Sequence, residues 1–110
     1  LEFTDGDDQP RDSSSASIAA CGMLEMAKYL GTEEAKHYRA IANRIIKSIY
    51  DNYAVKDMNI SNGLVLHSTY SNHSPYNTCN HCGVDECNLW GDYFYMEALT
   101  RMNKNWEQYW

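Results

Sequence analysis

The sequence predicts an all-α fold of about three main helices and one long loop. Three observations carry this. Apolar residues recur at helical spacing over 14–30, over 38–53 and again from Asp92 to Asn103. Each stretch opens near residues suited to capping, Asp12-Ser13-Ser14-Ser15, Thr32 and Asp92. Residues 54–89 show no sustained period and are rich in Asn, Ser, His, Gly and Cys, which reads as irregular chain.

The first helix is expected from about Ser14 to Leu30, after the turn-rich acidic opening Asp5-Gly6-Asp7-Asp8-Gln9-Pro10. Ile18, Ala19, Cys21, Gly22, Met23, Met26, Ala27 and Leu30 make it apolar or small on most faces. A helix of that kind is buried on several sides. Gly22 inside it costs about 1 kcal/mol against Ala, and close approach of a neighbouring helix is the expected reason. Gly31 is placed to stop this helix. Thr32 is expected to cap the second helix, with Glu33 and Glu34 complementing the dipole in its first turn. Tyr38, Ile41, Ala42, Ile45, Ile46, Ile49 and Tyr53 form its apolar face, and Lys36, Arg39, Asn43, Arg44 and Lys47 its wet one. Within the loop, Leu64-Val65-Leu66 is a candidate brief strand. The third helix, from about Asp92, carries Tyr93, Phe94, Met96, Ala98, Leu99 and Met102.

The order is therefore inner helix, outer helix, long loop, inner helix. Both inner helices begin at a polar cluster holding an Asp. In a barrel of paired helices those N-termini and their loops form the mouth where ligand binds. Three helices cannot close such a barrel, so helix one needs partners beyond these.

The chain has 110 residues, enough for one small domain, and 44% are hydrophobic, enough for a core. The net charge of −6, with 9 basic residues and no basic stripe, excludes a phosphate-backbone partner. The longest apolar-leaning run, Ile18 to Leu30, is broken by Gly22, Glu25 and Lys28 and is too short and mixed to span a bilayer. Nine Tyr, three Trp and two Phe are the unusual component. Such rings either pack helices together or stack on sugar faces.

Cys21 reads as a small buried hydrophobe. Cys79, Cys82 and Cys87 cluster in the loop with His81 and His73. A zinc set of Cys79, Cys82, Cys87 and His81 or His73, a disulfide, and free thiols are the three readings, with free thiols the default. His67 either lines a pocket or satisfies a local hydrogen bond.

Three blocks, in order, carry a family resemblance. They are Pro10-Arg11-Asp12-Ser13-Ser14-Ser15-Ala16-Ser17-Ile18-Ala19-Ala20-Cys21-Gly22-Met23-Leu24-Glu25-Met26, Gly63-Leu64-Val65-Leu66-His67-Ser68-Thr69-Tyr70, and Trp90-Gly91-Asp92-Tyr93-Phe94-Tyr95-Met96-Glu97-Ala98-Leu99. Together they resemble the unsaturated glucuronyl hydrolases, glycoside hydrolase family 88, which are related to the unsaturated rhamnogalacturonyl hydrolases. The resemblance implies that residues 1–110 are the C-terminal part of an (α/α)6 barrel, a single six-hairpin catalytic domain. It implies removal of a 4,5-unsaturated uronic acid from lyase-generated oligosaccharides by vinyl-ether hydration. No cofactor or metal is required for that chemistry. It also implies a bacterial source, cytoplasmic or periplasmic.

The family's catalytic aspartates lie in earlier segments, so the resemblance gives Asp12 and Asp92 no catalytic role. They are expected to cap helices and shape the mouth. Substrate contacts are implied for Ser71, His73, Ser74, Tyr76, Trp90 and Asp92. Members that favour sulfated substrates carry Ser-x-x-Ser-x-Lys there. Ser71 and Ser74 match the serines, but the lysine position is Tyr76 counted from them, or Cys82 counted back from Gly83. On either count the cation is missing. The alternative readings are a non-catalytic helical carbohydrate-binding or interaction module, and a small zinc-stabilised domain. As a fragment, the chain is expected to be inactive alone and to self-associate through helix faces that the rest of a barrel would cover.

Overall fold

A computed structural model of the chain describes residues 10–71 and 83–107. Three α-helices make the body: α1 (Ser13–Met26), α2 (Thr32–Asn52) and α3 (Leu89–Asn103). No strand occurs among the described residues, only the isolated antiparallel bridges Ala54–Val65 and Ser68–Glu86. The segment Leu64-Val65-Leu66 thus yields one bridge, flanked by hydrogen bonds from Val55 N to Leu64 O and from Leu66 N to Tyr53 O, both 2.9 Å.

Asp12 caps α1 as its sequence position predicts, its carboxylate accepting from Ser14 N at 3.0 Å. The helix stops at Met26, short of the predicted Leu30. Its end tightens into three-residue turns, with Lys28 N donating to Glu25 O and Tyr29 N to Met26 O, each at 3.0 Å. Gly31 does not stop α1. Its φ of −61° is ordinary for any residue, and it sits at the N-cap of α2 with no side chain to offer. Thr32 is correspondingly the first residue of α2 and not its cap. Glu33 and Glu34 in the first turn supply the negative charge instead.

α1 lies in the middle, with α2 and α3 packed on two sides of it. Ala20, Ala42, Val65 and Ala98 are fully buried at these contacts, with Cys21, Leu24, Ile46, Ile49 and Tyr95 around them. Small residues let the helix backbones come close, and each buried Leu or Ile contributes about 1.5–3 kcal/mol. The second helix buries Ala42, Ile46 and Ile49 along its predicted apolar face. It runs antiparallel to α1, because Tyr53 just beyond its C-terminus accepts a 2.8 Å hydrogen bond from Arg11, just before α1.

α3 runs parallel to α1. Trp90 meets Ser14 near the two N-termini, Cys21 Sγ donates to Phe94 O at 3.2 Å midway, and Arg101 pairs with Glu25 near the C-termini. Two parallel neighbouring helices, one of them paired with an antiparallel helix, is the arrangement that repeats around an α/α barrel. Their remaining faces are bare. Ile18 and Met26 on α1, and Trp90, Tyr93 and Met96 on α3, are exposed. Gly22 is on the bare side too. No described neighbour lies within 4 Å of where its Cβ would stand, so the close helix approach expected at Gly22 is not made among the described residues. No helix among the described residues is long and apolar enough to cross a membrane.

Candidate functional site

The N-termini of α1 and α3 share one rim, and residues 63–71 and 83–88 bind them together there. The contact begins with serines. Ser13, Ser14, Ser17 and Ser68 are buried, and small side chains with hydroxyls suit a crowded polar junction. Ser13 Oγ donates to Leu66 O at 2.7 Å. Having spent its only proton, it accepts from Ser68 Oγ at 3.0 Å. Ser13 N also donates to His67 O at 3.0 Å.

Asp12 does more than cap. Its Oδ1 accepts from Ser14 Oγ at 2.6 Å and from Thr69 N at 3.2 Å as well as from Ser14 N. Burial works against its charge, but the hydrogen bonds from Ser14, Thr69 and Ser15 outweigh it, and its pKa lies below the usual carboxylate value. A carboxylate so held stays ionised and is poorly suited to give up a proton near neutrality. Trp90 extends the chain of contacts. Its Nε1–H donates to Ser14 Oγ at 3.2 Å, while that hydroxyl donates on to Asp12. The indole ring is left partly exposed, with the Tyr70 ring edge-on at 5.8 Å. Tyr70 in turn donates from its hydroxyl to Glu86 Oε2 at 3.0 Å. Two exposed rings beside a polar rim are chemically suited to an apolar sugar face.

Asp92 is placed differently from its expectation. α3 begins at Leu89, and Asn88 is the N-cap, accepting from Gly91 N at 2.7 Å. Asp92 lies one turn in, and its Oδ1 accepts from Leu64 N and Val65 N, both at 3.0 Å. It fastens the 63–66 segment to α3. Gly91 stands where α1, α3 and the loop converge. A Cβ there would lie 2.8 Å from Asn88 Oδ1, 3.0 Å from Ser68 Oγ and 3.2 Å from Ser14 Cβ, which is why the position takes no side chain.

Ser71 is at the rim, its N–H donating to Gly83 O at 3.0 Å alongside that of Tyr70 at 2.8 Å. His73, Ser74 and Tyr76 lie outside the described residues, as do Cys79, His81 and Cys82 of the candidate zinc set. Cys87, the remaining member, carries a half-buried thiol 3.3 Å from Ser61 Oγ. Among the described residues no group of three or more His, Cys, Asp or Glu is placed to hold a metal ion. His67 lines a cavity of about 750 Å³ with Arg11, Asn52, Tyr53 and Asp85. Its Nδ1 contacts Asp85 Oδ1. Sequence reasoning passed over Tyr70, Asp85 and Glu86 as site residues. Tyr70 closes the second resemblance block, and Asp85 and Glu86 belong to the Gly83-Val84-Asp85-Glu86 run that follows the Ser71–Cys82 stretch.

No family model matches the chain. It is 42% identical over 112 residues to an unsaturated chondroitin disaccharide hydrolase of Streptococcus agalactiae, covering 100% of this chain and 27% of that protein. It is 44% identical, with the same coverage, to an unsaturated chondroitin disaccharide hydrolase of Streptococcus pyogenes. An unsaturated glucuronyl hydrolase of Bacillus sp. is 32% identical over 91% of the chain and 26% of the relative. The chain thus spans about a quarter of the length of the curated relatives it matches. Its fold matches a solved mutant of unsaturated glucuronyl hydrolase from Streptococcus agalactiae with a TM-score of 0.82, at 42% identity, covering 98% of this chain and 29% of that one. A solved unsaturated glucuronyl hydrolase of Bacillus sp. GL1 matches with a TM-score of 0.77, at 29% identity, over 94% of this chain and 26% of that one. Another matching structure, at TM-score 0.79 and 30% identity over 94% of this chain and 26% of that one, is of a variant with dGlcA-Glc-Rha-Glc.

Proposed function

We propose that this chain, homologous over its full length to a 27% portion of the unsaturated glucuronyl and chondroitin disaccharide hydrolases, is the C-terminal part of a six-hairpin catalytic domain. The whole domain would remove a 4,5-unsaturated uronic acid from the non-reducing end of lyase-generated oligosaccharides of the glycosaminoglycan type. One observation carries the reading. Two parallel inner helices bring their N-termini to a single aromatic and polar rim, while their remaining faces stay bare for further hairpins.

In the proposed reaction an acid delivers a proton to C4 of the C4=C5 double bond. Water adds at C5, and the hemiketal that results collapses to release the sugar. The residues of this chain supply the rim. Trp90 and Tyr70 offer ring surfaces, and Ser71, His73, Ser74 and Tyr76 belong to the substrate-reading stretch. Asp12 and Asp92 hold backbone and do not donate protons, since their carboxylates are engaged with amides and hydroxyls. The acid and the base belong to helices outside this segment.

The test is an exchange of segments. The Streptococcus agalactiae relative with its homologous segment replaced by this chain is expected to consume an unsaturated chondroitin disaccharide, read as loss of the double-bond absorbance. The chain alone is expected to leave that absorbance unchanged. A folded but silent hybrid, or a chain active by itself, would refute the proposal. Alone, the chain is also expected to self-associate through Ile18, Met26, Tyr93 and Met96. Sedimentation as a monomer at high micromolar concentration would contradict this.

A further inference from the structure

Two residues at the rim hold a backbone conformation that side chains disfavour. His67 and Asp85 both have φ of 63°, the left-handed region, and are the only non-glycine residues so placed among those described. Each immediately precedes one member of the Ser68–Glu86 bridge. Across that bridge Ser68 N donates to Glu86 O at 2.8 Å and Glu86 N to Ser68 O at 3.1 Å. The two kinks flank this bridge diagonally, one on each segment, and the imidazole of one still reaches the carboxylate of the other. The Tyr53 ring meets the imidazole edge-on at 5.5 Å, and Arg11 holds the Tyr53 hydroxyl at 2.8 Å.

The choice of residue types is informative. Glycine would adopt this backbone at no steric cost. His and Asp are among the few other types enriched there. What they add over glycine is the contact between them. Beyond the kinks the two segments run together to the rim. Tyr70 N and Ser71 N both donate to Gly83 O, and Glu86 takes the Tyr70 hydroxyl on one oxygen and Gly83 N on the other.

We propose that His67 and Asp85 form a clasp that positions Tyr70 against Trp90 and fixes the adjoining Ser71, making both of them positioning residues for substrate binding. The positioning of a substrate rests on the function proposed above, whereas the clasp itself does not.

Hydrogen exchange on the chain tests the clasp without any substrate. Asp85→Gly relieves the backbone and deletes the contact. It is expected to accelerate exchange of the Ser68, Tyr70 and Ser71 amides on the order of threefold, the effect of losing one solvent-exposed charged pair. The amides of α2 should keep their protection, and Asp85→Asn, which keeps the backbone tolerance and an acceptor but not the charge, should restore part of the loss. Unchanged exchange in Asp85→Gly, equal acceleration in α2, or no rescue by Asp85→Asn would overturn the proposal. In the hybrid enzyme, Asp85→Gly is expected to raise KM roughly threefold while kcat stays within about twofold. A fall in kcat at unchanged KM would overturn the positioning role. A hybrid silent before any substitution would count against the proposed function, with the clasp still decided by exchange.

Discussion

Arg101→Ala is expected to destabilise the chain by about 3–5 kcal/mol, because it leaves a buried carboxylate without its partner. Glu97 and Arg101 face α1 from α3 with side chains only 2% and 7% exposed. Arg101 Nε donates to Glu97 Oε1 at 2.7 Å, and its Nη1 pairs with Glu25. The guanidinium also lies 5.2 Å from the centre of the Trp106 ring, so truncation removes packing as well as charge. The surroundings register the Glu97 charge. Burial, then the nearby Glu97, push the Cys21 thiol up to about 12. Arg101→Lys should recover part of the loss, since an ammonium supplies the charge without the fork. Replacing Glu97 and Arg101 together by Met should cost much less than Arg101→Ala alone. Urea unfolding followed by circular dichroism measures all three, and a loss below about 1 kcal/mol for Arg101→Ala would contradict the account.

The same cluster sets an acid limit. Hydrogen bonds from Lys28 and Arg101 hold the Glu25 carboxyl down at about 2, against 4.5 ordinarily. A carboxylate lowered on folding contributes stability that is full above the ordinary value. That contribution fades as pH falls from there through about 2. Removing Arg101 should therefore flatten the acid limb of the stability profile as well as lower its plateau.

The parts of this fold that were legible in the sequence are those set by local pattern. The outer helix is the clearest case. Its apolar positions Ala42, Ile46 and Ile49 are the buried ones, and its acidic first turn falls where the dipole wants it. A cap for α1 was legible in Asp12-Ser13-Ser14-Ser15, and the structure gives the position to Asp12, whose carboxylate takes Ser14 N. The C-terminal end of α1 was not. Ala27 and Leu30 continue the apolar pattern, but the backbone has already tightened at Glu25 and Met26, and Gly31 serves the next helix. Gly22 suggested close packing, and among the described residues no neighbour comes within 4 Å of its Cβ position. The pairing of His67 with Asp85 spans eighteen positions of irregular chain and leaves no periodic trace. At the start of α3 the sequence pattern pointed to Asp92 as the cap, whereas Asn88 holds that place in the structure. Local rules rank them equally. Only the loop that comes back over the helix, needing an acceptor for Leu64 N and Val65 N, separates them.

That separation gives the second large effect. Asp92→Ala is expected to cost about 2–3 kcal/mol, since one carboxylate oxygen serves two backbone amides and the Val65 amide is partly buried. The informative variant is Asp92→Asn. At a helix N-cap Asn is as good as Asp, so a capping role predicts almost no change. A carboxylate bridging two amides predicts a loss of about 1 kcal/mol, because the amide oxygen keeps the geometry but gives up the charge. Asn88→Ala, by contrast, should show the ordinary cap penalty of about 1 kcal/mol with fraying of Leu89 and Trp90. Amide exchange distinguishes the two sites directly. Asp92 variants should deprotect Leu64 and Val65, 27 or more positions away, and leave the start of α3 in place. If Asp92→Asn is neutral and those two amides keep their protection, Asp92 does not hold the loop. The rim would then depend on the Asp12 side alone, where Ser14 and Thr69 converge on the other carboxylate.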